Sequence, residues 1–209
     1  MRMFPLPSFG YFTSAEFWEY STAIQTGSFR RLHSIYRSIL FFCCSIVVGI
    51  NGFFHMVILG FFTGMITEIL GVQWGWIFGD YQYGNALGYK ILGVPILIGV
   101  NWALLTIITG AIAQQFYQNI FMRIIIGVGL MIFLDLLIEP IAPVLDFWVF
   151  DGGEAPLQNY FGWAAVALFL QAVFHYFKVS VEGWFPHQLY LLQIIFFAVL
   201  LIKQTTIGI

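Results

Sequence analysis

The chain has 209 residues, 60% of them apolar and 9% charged, with a net charge of −2 and a mean hydropathy of +0.89. Soluble domains carry about 25% charged residues, so this composition excludes an ordinary soluble domain and reads as an integral membrane protein. No basic tract or nucleic-acid motif is present, and no nucleic-acid partner is expected.

Residues 1–30 lack the charged-then-apolar pattern of a signal peptide. Phe4, Pro5, Pro7, Phe9, Tyr11, Phe12, Phe17 and Trp18 read instead as an interfacial arm. Residues 31–209 are expected to form one all-α domain, a polytopic transmembrane bundle of about six helices. Ser38 to Leu70 carry a single formal charge, Glu68. At roughly 20 apolar residues per span, that run allows helices over about 32–50 and 53–70 with Asn51-Gly52 as the turn. Cys43 and Cys44 are adjacent within it and read as packing residues. Further helices are expected over about 91–114, 120–138, 160–177 and 188–202. The 120–138 helix stops at Glu139-Pro140, because proline lacks the donor that continues a helix. Arg30 and Arg31 favour a cytoplasmic N-terminus.

The connections at 71–90 and 140–158 are long and rich in glycine and aromatics. The helices that precede them run in the same direction, so both loops emerge on one membrane face. Glu68, Asp135 and Glu139 sit near the helix ends that meet this face. Gly60 and Gly64, four apart, permit close helix contact, whereas the glycines of 75–88 read as turn residues.

Asp135 and Glu139 share a helix face, and acids at membrane depth are costly and usually functional. Two carboxyl groups in one poorly hydrated site do not both ionise easily, so one is expected to stay protonated and serve as a general acid. Glu68 adds a third carboxyl. The competing reading is that these acids cap helix ends. Asp80 and Asp146 either line an entrance or form turns. Asn101, Gln158 and Asn159 either orient a water or a carboxylate, or join helices. Trp74, Trp76, Trp102, Trp148 and Trp163 offer π faces to a cation or anchor the interface. The four histidines form no H-x-x-x-H box, and G-x-G-x-x-G, D-D-x-x-D and P-loop motifs are missing from the sequence. Cofactor-free, metal-free acid–base chemistry, or transport, is what remains.

Glu68-x-x-Gly71, Phe78-Gly79-x-Tyr81-x-Tyr83, Leu87-Gly88-x-Lys90, Gly93-Val94-Pro95, Asn101-Trp102, Asp135-x-x-x-Glu139-Pro140, Phe147-Trp148 and Pro156-x-x-Asn159-x-x-x-Trp163 form a string of motifs. Over about residues 53–177 it resembles the carotenoid biosynthesis membrane proteins, which include carotenoid 1,2-hydratases. The resemblance implies a cofactor-independent enzyme that hydrates the terminal C1=C2 double bond of an acyclic carotenoid. It implies Glu68, Asp135 and Glu139 as catalytic residues. Trp76, Phe78, Tyr81, Tyr83, Trp102, Trp148, Asn159 and Trp163 would bind substrate. End-group cyclisation, carotenoid binding without catalysis and proton-coupled transport are the alternatives. The expected partners are a lipid-soluble carotenoid and membrane lipids, in a bacterial or archaeal cell membrane. The expected pocket is elongated and apolar away from the acids, with Lys90 as their basic counterweight.

Overall fold

A computed structural model describes residues 50–207. The expected interfacial arm, the expected helix over 32–50, Cys43, Cys44, Arg30 and Arg31 lie outside the described residues. The described chain runs α1 (Ile50–Trp74), β1 (Tyr81–Tyr83), β2 (Lys90–Ile91), β3 (Val94–Pro95), α2 (Ile96–Phe116), α3 (Ile120–Ile138), β4 (Trp148–Phe150), α4 (Leu157–Tyr176) and α5 (Phe185–Ile207). Among the described residues five helices are long and apolar enough to cross a membrane.

The helix ends follow from local chemistry. Asn119 caps α3, its side-chain oxygen accepting from the Phe121 and Met122 amides at 2.8 and 3.3 Å. Pro95 and Pro156 stand at the N-caps of α2 and α4, where a missing amide hydrogen costs nothing. Two of the differences from the expected boundaries have a plain physical cause. Asn51-Gly52 lies inside α1 rather than at a turn, since a backbone surrounded by hydrocarbon gains most from uninterrupted internal hydrogen bonds. Helix α2 begins at Ile96 rather than near 91, because residues 90–95 form a tight hairpin: Lys90 pairs with Pro95 and Ile91 with Val94. Its two turn residues, Leu92 and Gly93, have φ of 49° and 84°, as a two-residue hairpin of this hand requires.

Helix α2 is the most buried span and packs against all four others. Its contact with α1 is close: a Cβ at Gly60 would stand 2.8 Å from the Ala103 Cα, and one at Gly64 2.6 Å from Trp102. The Thr106 and Thr109 hydroxyls donate to the carbonyls of Trp102 and Leu105 at 2.8 and 2.7 Å. Gln171 of α4 reaches the same turn, donating to the Thr109 hydroxyl at 2.8 Å and the Thr106 carbonyl at 3.1 Å.

The loops after α1 and α3 emerge at the same end and pair with each other. β1 and β4 are antiparallel, with Tyr81 opposite Phe150, Gln82 opposite Val149 and Tyr83 opposite Trp148. The two loops are joined further by Gly84 and Ala86 amides donating to the Phe147 and Asp146 carbonyls, and by the Asp151 amide donating to the Asp80 carbonyl. Asp146 closes this joint in its carboxylate as well, accepting from the Asn85 amide at 2.8 Å. Asp80 and Asp146 therefore stitch the loops together. The paired loops form one cap over the bundle end.

Candidate active site

Each wall of the capped end contributes polar groups. Glu68 stands in the last two turns of α1. Asp135 and Glu139 are one turn apart at the end of α3. Asn101 and Trp102 come from the second turn of α2, Asn159 and Trp163 from the first two turns of α4. The alternation of β1 and β4 turns Tyr81, Tyr83, Trp148 and Phe150 inward, with Phe78 beside them. Together with Ile98 and Ile138 these residues line one cavity of about 30 Å³. That is room for one or two waters, not for a branched five-carbon end group. Among the described residues the cavity at the acids is small rather than long and apolar as expected, because the inward aromatics of the cap fill the space.

The three carboxyl groups are buried, with exposures of 4%, 2% and 9% for Glu68, Asp135 and Glu139. Their donor sets differ. Glu68 accepts three bonds: from the Tyr81 and Tyr83 hydroxyls on Oε2 at 2.5 and 2.6 Å, and from the Trp102 indole on Oε1 at 2.9 Å. Glu139 accepts two, from Asn159 at 2.8 Å and the Trp148 indole at 3.1 Å. Asp135 receives a single long contact from the same Asn159 nitrogen at 3.5 Å. Each donor set is neutral. Among the described residues no ion pair reaches the acids. Lys90, the expected counterweight, instead donates to the Tyr83 carbonyl at 2.6 Å and braces the cap.

Burial, then the Glu68 charge, raises the Tyr81 and Tyr83 hydroxyls far above the ordinary tyrosine range, which keeps both as donors. Burial pushes the Glu139 carboxyl up to about 7 against the opposing pull of its Trp148 and Asn159 donors. A group that titrates near neutrality in a cavity suits proton transfer.

The aromatic wall is built in tiers. Trp102 is fully buried, stacked on Trp163 with ring centroids 4.1 Å apart and flanked by Phe78 at 6.3 Å. Tyr81 packs edge-on to Tyr83 at 5.5 Å and lies against Phe150 at 5.2 Å. Trp76 is the residue the structure removes from the expected site. It is 60% exposed and rests against Trp74, because the Gly75 turn carries it outward at the end of α1. Gln158 also leaves the site, donating to the Gly75 carbonyl at 2.9 Å to hold that turn. Ile98, Ile138 and Phe150 are cavity residues that the expected site left out, whereas Asn101, expected to orient a water or a carboxylate or to join helices, lines the cavity. For Phe150 the signal was present: Tyr81-x-Tyr83 and Trp148-x-Phe150 both repeat at the period of a strand. Among the described residues no group of three or more His, Cys, Asp or Glu is arranged to hold a metal ion.

Fold and site together define a polytopic membrane protein with a buried acid cluster under a cap at one end of its helices. The chain belongs to the carotenoid biosynthesis protein family, whose model matches residues 31–208. A relative, the bisanhydrobacterioruberin hydratase of Haloarcula japonica, is 27% identical over 109 residues. That match covers 46% of this chain and 36% of the relative's own length. No solved structure matches the chain.

Proposed function

We propose that this protein hydrates the terminal C1=C2 double bond of an acyclic carotenoid end group, without a cofactor. The observation that carries the reading is the graded donor supply to three buried carboxyl groups around a water-sized cavity. Glu68, with three donors, is the best supplied of the three to carry negative charge when a proton leaves it. The Asp135–Glu139 pair, with few donors and one shared amide nitrogen, is built to keep a proton and release it. Family membership and the hydratase among the relatives agree with a carotenoid substrate.

In this reading the α3 pair protonates C2, and a tertiary cation forms at C1. Glu68 and the inward aromatics stabilise the cation by charge and by their π faces. Water adds to C1 and gives up a proton to a cavity carboxylate, and exchange among the carboxyl groups restores the acid. The net change is the addition of one water. The polyene lies along the bilayer with its end group at the depth of the helix ends, and the cap yields to admit it.

The test is a pigment mass profile from a host making lycopene or γ-carotene, with and without this chain. Hydration adds the mass of one water at each reacting end. A product of unchanged mass with an altered chromophore would mean cyclisation. Unchanged pigment would leave binding or transport.

A further inference from the structure

Resting on the hydration reading, one residue of the cavity stands apart in its bonding. The carboxyl groups of Glu68, Asp135 and Glu139 are engaged by side-chain donors, and the Asn159 amide is committed to two of them. The tyrosine hydroxyls and the Trp102 and Trp148 indoles are committed as donors. Asn101 lines the same cavity and makes no side-chain hydrogen bond among the described residues. A half-buried amide left open in a wall of a membrane protein is costly unless something small and polar meets it.

We propose that Asn101 holds the water that adds to the substrate. An amide offers one acceptor oxygen and two N–H donors, and a carboxylate offers about four acceptor sites. Three sites of Glu68 are taken, two on Oε2 and one on Oε1, so the remaining one lies on the oxygen that Trp102 holds. Trp102 follows Asn101 directly in α2, and the Asn101 amide and the Glu68 carboxylate line one cavity. A water that donates one proton to Asn101 Oδ1 and the other to Glu68 Oε1 keeps a lone pair for carbon. When its oxygen bonds to C1, the proton facing Glu68 passes to that carboxylate, and C2 retains the proton delivered by the α3 pair. The cavity volume of about 30 Å³ admits such a water. Asn101 thus decides the fate of the cation rather than its formation. Without a held water the cation returns a proton and reverts to the alkene.

The experiment compares wild type and Asn101→Leu in membranes from a lycopene-making host suspended in D2O, with the amount of membrane-inserted protein measured for each. Hydrated product is expected to fall at least tenfold in the variant, while recovered lycopene still gains deuterium, which reports protonation followed by reversal. Asn101→Ser, which replaces the amide with a hydroxyl that can still bond a water, is expected to retain more hydration than Asn101→Leu. Hydration at the wild-type level in Asn101→Leu overturns the inference and leaves the hydratase reading standing. Loss of hydration and deuterium uptake together, with protein level unchanged, also overturns it, because the residue would then act on protonation or packing. Should Asn101→Leu not accumulate, Asn101→Met takes its place with the same outcomes. A wild type that adds no water overturns the hydratase reading, and this inference with it.

Discussion

Tyr83 and Trp148 face each other directly across the β1–β4 ladder, yet each donates to a different acid: Tyr83 to Glu68 at 2.6 Å, Trp148 to Glu139 at 3.1 Å. One cross-strand pair therefore ties the cap to both α1 and α3. Lifting that pair removes a donor from both acids at once. In the proposed reaction, opening of the cap and proton transfer would be linked through these two hydrogen bonds.

Glu68 tests how the cap is held. Tyr81→Phe or Tyr83→Phe each removes one hydroxyl from Oε2 and leaves the other in place. Hydrogen bonds to a charged group contribute about 1.5–3 kcal/mol, so each single loss is expected to lie at or below that range. The double variant leaves Oε2 without a side-chain donor and is expected to lose more than the sum of the singles. Unfolding in detergent measures this. Strictly additive losses would show that the two hydroxyls do not share the burden of one buried oxygen.

Glu139 predicts a pH response. Its carboxyl is pushed up to about 7, and the acid form is the competent one in the proposed reaction. Activity should therefore fall as pH rises through about 7. The Trp148 indole favours the anion and so lowers this value. In Trp148→Phe the falling limb should move to higher pH. Rate–pH profiles on membranes settle it, and a limb that stays in place or moves to lower pH removes Glu139 from the proton-donating pair.

Gly64 sets the seat of Trp102. In a helix interior Gly→Ala ordinarily stabilises by about 1 kcal/mol. Here the new Cβ would stand 2.6 Å from the Trp102 Cβ and ring, and Trp102 is fully buried and stacked on Trp163. Overpacking of this kind costs about 1–3 kcal/mol, so Gly64→Ala is expected to lower stability and weaken the Trp102 bond to Glu68. A higher melting temperature in detergent would refute the packing argument.

Trp76 should prove dispensable for chemistry. It is exposed on the Gly75 turn and takes no part in the cavity wall. Trp76→Ala is expected to leave hydrated product per inserted protein within about twofold of wild type, as surface changes away from a site usually do. A tenfold loss would place substrate on the outside of the cap.

The spans were legible because charge is so scarce. Glu68, Asp135 and Glu139 stand out in apolar runs, and the direction of alternating helices brings their ends to one face. The cap was harder. Strands of three residues give too short a window for periodicity, and their pairing joins positions almost seventy residues apart, which local sequence does not encode. Asn101, Gln158 and Asn159 looked equivalent as polar residues near one face. The fold gives them three fates: an open cavity amide, a brace on the Gly75 turn and a bridge between two acids. Trp76 and Trp102 likewise differ only in which side of a helix end the backbone leaves them.

The self-bonded hydroxyls of Thr106 and Thr109 bear on biogenesis. α2 is synthesised before α4, so the face that Gln171 later covers meets lipid first. Each hydroxyl proton is already returned to a carbonyl one turn back, at 2.8 and 2.7 Å, so that face enters hydrocarbon with no donor exposed. Gln171 then arrives as a donor to oxygens that have acceptor capacity to spare. The central helix can thus be inserted in chain order and wait for its neighbours without a chaperoned polar surface.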